Sequence, residues 1–71
     1  MRIENPSAVA SVLIGNEWVA VAEASFELVE ADDGSEWFRF VEGRTAFKDH
    51  RALVQGPLAS IVAVRSQADA P

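Results

Sequence analysis

At 71 residues the chain is expected to form one small domain, and a chain of this size buries only about 60% of its unfolded surface. It has no cysteine, which excludes disulfides and thiolate metal sites as a staple, and a hydrophobic fraction of 49% excludes a disordered polar chain. The net charge of −5, with six Lys and Arg in all, excludes the basic stripe that phosphate binding needs, so no direct nucleic-acid binding is expected.

The charge is uneven. Residues 1–38 hold eight acids (Glu4, Glu17, Glu23, Glu27, Glu30, Asp32, Asp33, Glu36) against Arg2, whereas residues 39–71 hold five bases against three acids. A solvated acidic surface and hairpin tip are the preferred explanation, and an acidic prong that meets a basic partner is the sharper one. No stretch approaches the roughly 20 apolar residues of a membrane span. Ala8 to Ile14 is short and follows Glu4 and Pro6. Neither membrane insertion nor a signal peptide is therefore expected, and the default location is cytoplasmic.

Residues 1–7 read as a lead-in or an edge strand, because Pro6 has no N–H to give to a ladder. Val9 to Ile14 is a β run, and Gly15-Asn16 is a two-residue turn of type II′ or I′ into Glu17 to Ala22. That turn sets Leu13 opposite Trp18, Val12 opposite Val19 and Ser11 opposite Ala20. Trp18, Ala20, Ala22, Ala24, Phe26 and Leu28 then share one parity. Helical spacing, which the alanines and glutamates would permit, scatters Trp18, Phe26 and Leu28, while period two aligns them. Strand is expected, as one long bent ribbon or, better suited to a short chain, with a corner at Ala22 to Ser25.

Ser25 to Val41 contains three of the four phenylalanines around Asp32-Asp33-Gly34 and reads as a second hairpin. A two-residue Asp33-Gly34 turn would oppose Leu28 to Arg39 and Glu27 to Phe40. A three-residue loop, a type I turn closed by left-handed Gly34, instead opposes Phe26 to Phe40, Leu28 to Phe38, Val29 to Trp37 and Glu27 to Arg39. The second register gains matched pairs worth roughly 0.2–1 kcal/mol each and loses only on Glu30 against Glu36. It is preferred. Phe26, Leu28, Phe38 and Phe40 then form a core-seeking face, and Glu27, Val29, Trp37, Arg39 and Val41 the other.

Glu42-Gly43 turns the chain. Residues 44–51 read either as a short strand over Thr45 to Lys48 or as a helix capped by Thr45 that presents Phe47, Arg51 and Val54. Ala52 to Gln55 is a strand stopped by Gly56-Pro57, Pro57 to Ser60 suits one tight helical turn, and Ile61 to Arg65 is a final strand before a frayed tail at 66–71. The fold class expected is all-β: a small single-domain barrel or a strongly curled antiparallel sheet of five to six strands. The strand, Gly56-Pro57-Leu58-Ala59-Ser60 and closing strand resemble the ending of SH3-like barrels, at the level of architecture only. The chain has no tyrosine, so the aromatic groove of SH3 domains has no matching residues and no function is carried across.

Few residues suggest chemistry. His50, the only histidine, sits between Asp49 and Arg51 with no nucleophile in a recognisable context, and no serine lies in Gly-x-Ser-x-Gly. No catalytic residue, cofactor or metal site is expected. Asp32 to Glu36 is too short for a calcium loop, and the four glycines all punctuate turns. Arg44, Lys48 and Arg51 form a basic cluster that reads as a solvated loop or as a mate for the acidic hairpin of a second copy.

Apolar residues on both sides of the strands are the main clue. Val12, Ile14, Val19 and Val21 oppose Leu13 and Trp18, and Val29, Trp37 and Val41 oppose the phenylalanines. Either a corner turns some of these inward or an apolar surface remains. The expected function is a non-enzymatic protein–protein interaction or assembly module, self-association included. Its interface is Val29, Trp37 and Val41, rimmed by Glu27 and Arg39. The alternative is an acidic inhibitor or nucleic-acid mimic whose tip, Glu30, Asp32, Asp33 and Glu36, enters a basic groove.

Overall fold

The computed structural model describes residues 2–43 and 52–67. The readings for residues 44–51 and 68–71, His50 and the basic cluster among them, lie outside the described residues. Strands β1 (Val9–Ile14), β2 (Glu17–Ala20), β3 (Glu27–Glu30), β4 (Glu36–Val41), β5 (Leu53–Pro57) and β6 (Ile61–Ser66) alternate with 3₁₀ turns at Pro6–Ala8 and Leu58–Ser60. They build two three-stranded antiparallel sheets, β2-β1-β6 and β3-β4-β5, with no α-helix among the described residues.

Both hairpins take the registers that their turn residues dictate. Gly15 alone carries positive φ (65°) in the first turn, the II′ pattern, and Leu13 faces Trp18, Val12 faces Val19 and Ser11 faces Ala20. In the second, Gly34 N–H donates to Ala31 O (2.9 Å), Ala31 N–H donates to Ser35 O (2.8 Å), and Gly34 has φ 84°. This is the type I turn with a left-handed closing glycine. Glu27 faces Arg39, Leu28 faces Phe38, Val29 faces Trp37 and Glu30 faces Glu36. The expected Phe26–Phe40 ladder pair does not form, because β3 begins at Glu27; Phe26 instead stacks its ring on Phe40 at 5.9 Å and on Phe38 at 6.2 Å.

Among the described residues no closed barrel forms, and one bridge, Val21–Glu42, joins the sheets, flanked by Ala22 N–H to Val41 O and Gly43 N–H to Ala20 O, both 2.8 Å. A Cβ at Gly43 would lie 2.9 Å from the Val21 carbonyl carbon, so only glycine permits this approach. The run from β2 to β3 breaks at the corner, where Ser25 N–H donates to Ala22 O (3.0 Å) and Ala24 takes φ 59°. The Ser25 hydroxyl donates to Ala22 O (2.8 Å), and its oxygen accepts from Val41 N–H (3.2 Å), tying the corner to β4.

The corner also switches parity. Trp18 and Phe26, expected on one face, lie on opposite ones: Phe26 is buried and Trp18 exposed. Val12 and Val21 are buried instead, and Ile14 and Val19 pack against them. The core is Val9, Val12, Val21, Phe26, Phe38, Phe40, Leu58 and Ile61, drawn from both sheets, with the three phenylalanine rings 5.8–6.2 Å apart.

Residues 6–8, in the lead-in to β1, form a 3₁₀ turn with Ala8 N–H donating to Asn5 O (3.0 Å), and proline at the turn's start has no N–H to satisfy. One smaller expectation changes. Gly56 and Pro57 do not stop β5 but end within it, opposite Phe38 and Trp37. Strand β5 is the sheet's edge, where a missing N–H costs no ladder bond. At Gly56 a Cβ would sit 3.4 Å from the Phe38 ring, an ordinary van der Waals contact.

Candidate interaction face

Ladder partners stand side by side on one face of a sheet, so the registers define the outer surface of β3-β4-β5 row by row. Val29, Trp37 and Pro57 form one row, Glu27, Arg39 and Gln55 the next, and Val41 and Leu53 the third. Two apolar rows thus flank a polar one. Val29, Trp37 and Leu53 are exposed, Leu53 to 59%, while Val41 is partly covered. The structure therefore brings the five expected interface residues onto a single face. Leu53, Gln55 and Pro57 join them unforeseen, because only the β4–β5 register reveals them.

The middle row is held by an ion pair: Arg39 donates to Glu27 Oε1, with both side chains about half exposed. Such a pair contributes little to stability on an open surface, but it fixes where each charge sits. Trp37 is also held. Its indole Nε1–H donates to Ser35 Oγ (3.1 Å), and the Ser35 hydroxyl donates to Asp33 Oδ1 (2.6 Å), which also accepts from Ser35 N–H (2.9 Å). The Ser35 hydroxyl first, and its N–H second, hold the Asp33 carboxyl below the ordinary Asp range. The tip thereby orients the tryptophan two residues beyond it.

Glu30, Asp32, Asp33 and Glu36, the expected acidic tip, are all exposed. Glu30 and Glu36 share the parity of Leu28 and Phe38, so they lie off the outer face.

The other sheet presents a second tryptophan. Trp18 has the Arg65 guanidinium 4.0 Å from its ring centroid, reached across β1 from β6. The pair walls an open hollow of about 800 Å³ that Glu17, Glu23 and Glu42 also border. This contact is not legible from local residues, since Trp18 and Arg65 meet only through the pairing of the first and last strands. Val62 is exposed because the β1–β6 register shifts between Leu13 and Ile14, leaving it unopposed in a bulge.

Among the described residues no group of acidic or histidine side chains gathers as metal ligands, and no helix is long and apolar enough to cross a membrane. No family model, curated protein or solved structure matches the chain.

Proposed function

We propose that the protein is a protein–protein interaction or assembly module that docks on the outer face of β3-β4-β5. The observation that carries this reading is the alignment of Val29, Trp37 and Pro57 in one ladder row, with Val41 and Leu53 in another. Singly scattered apolar residues need no explanation, but contiguous ones mark interfaces. Trp37 is oriented by hydrogen bonding and Arg39 by its ion pair, and tryptophan and arginine are the residue types that dominate interface energetics.

A photo-crosslinking residue at position 37, compared with one at position 18, tests the reading in cells. Discrete protein adducts at 37, lost on Val29→Asp, support docking here. Equal labelling at both positions contradicts it.

The tip supports a second reading, the acidic mimic, because four exposed carboxylates cluster there and Asp33 keeps its charge to low pH. Binding to a basic partner that collapses with salt and with Glu30→Gln and Asp32→Asn would favour it; salt-insensitive binding lost on Trp37→Ala would exclude it. For the architecture we propose an SH3-like small barrel left open, supported by the β5, 3₁₀ turn and β6 ending and by two sheets that share one corner. Under this reading the chain has no catalytic role.

A further inference from the structure

We infer that the occupant of this face is a second copy of the same chain, docked about a two-fold axis that runs along the strands midway between β3 and β4. The inference rests on the docking reading and adds its partner and geometry.

Across the hairpin each outward row pairs unlike residues. Glu27 stands beside Arg39, and Val29 beside Trp37. A two-fold axis between the strands lays each copy's β3 over the other's β4 at the same height. Glu27 then meets the other copy's Arg39, Arg39 meets its Glu27, and Val29 and Trp37 cross in the same way. A hairpin whose two outward rows pair Glu27 with Arg39 and Val29 with Trp37 is its own complement, which is what an isologous contact requires, and β5 lies beside this contact rather than in it. An axis along β4 itself is excluded, since it would set Arg39 on Arg39. Glu30 and Glu36, the like-charged pair, have the opposite parity and stay out of the contact.

The existing ion pair becomes half of a ring of four alternating charges. Its contribution is to orientation more than to affinity, because desolvation offsets much of the attraction. The apolar crossings supply the affinity. Strands about 4.8 Å apart and side chains repeating roughly every 6.8 Å along each strand give the hairpin a contact of roughly a few hundred Å² per copy. That is below the ~800 Å² per partner of a standard interface, so the dimer is weak and concentration-dependent.

Charge exchange tests the geometry. Glu27→Arg and Arg39→Glu each place like charges at both crossings, whereas a Glu27→Arg chain meeting an Arg39→Glu chain has opposite charges at both. By sedimentation equilibrium up to about 1 mM, the upper end of weak association, the native chain should dimerise. Each variant alone should associate at least about tenfold less, and their equimolar mixture should recover the dimer. Thermal melting of each variant shows that both remain folded.

A native chain that stays monomeric throughout, or a mixture no better associated than its components, overturns the two-fold. Crosslinks from position 37 to a different protein, with the purified chain monomeric, would remove the second copy while leaving docking on this face intact. Loss of both would remove the docking reading too.

Discussion

The two tryptophans of this chain are equally exposed, Trp18 to 38% and Trp37 to 39%, yet they are in opposite situations. Trp18 sits on the β2-β1-β6 sheet with Arg65 over its ring, so its π-face already has a cation. Trp37 sits on the β3-β4-β5 sheet with its N–H engaged by Ser35, and among the described residues no cation covers its ring. Exposure by itself does not mark an interface. What matters is whether the chain has covered the exposed group from its own residues.

The largest test asks whether the two sheets are one cooperative fold. Phe40 is fully buried and stacks on both other core phenylalanines. Phe40→Ala should cost about 3–5 kcal/mol, against a total stability of about 4–10 kcal/mol for a chain of this size. Emission from Trp18 and Trp37, followed in single-tryptophan variants, should fall together in one transition at a much lower Tm. Separate transitions would mean that each sheet melts alone. Gly43→Ala strikes the one bridge between them among the described residues and should cost about 1–3 kcal/mol, because the added methyl meets Val21 and Ala22 backbone. Denaturant unfolding checks it, and an unchanged midpoint would show that the corner yields.

Both tight turns, and through them the sorting of Glu27, Val29, Trp37 and Arg39 to one face, were legible in the sequence. Each register is decided within a few residues, by Gly15-Asn16 and by Asp32-Asp33-Gly34. The parity switch at Ala22 to Ser25 was not legible, because it depends on an alanine in the left-handed region at Ala24, which nothing local requires. The parity argument for strand over helix thus reached the right element through a wrong face for Trp18. Leu53, Gln55 and Pro57 were missing from the candidate face for a related reason: β5 pairs with β4 at long range, beyond the reach of either hairpin turn.

Smaller effects sharpen the contrast between the tryptophans. Arg65→Ala should remove the cap on Trp18 and lower stability by about 0.5–1 kcal/mol, leaving self-association unchanged. A change in the dimer instead would move the interface to the other sheet.

Smallest is the effect of pH on the Asp33–Ser35–Trp37 relay. The folded-state pKa of Asp33 is lowered, so its contribution is present above the ordinary Asp value of 3.8 and is lost as pH falls through the lower folded value. Emission from Trp37 in Trp18→Phe should shift with a midpoint below that ordinary value. A midpoint above that value would break the relay.

Quenching of the two tryptophans tests the central claim most directly. Acrylamide quenching is measured as protein concentration rises in Trp18→Phe, where Trp37 alone emits, and in the native chain, where Trp18 supplies the remaining emission. Trp37 should become protected while Trp18 stays equally accessible. Protection of Trp18 with Trp37 unchanged would contradict the account.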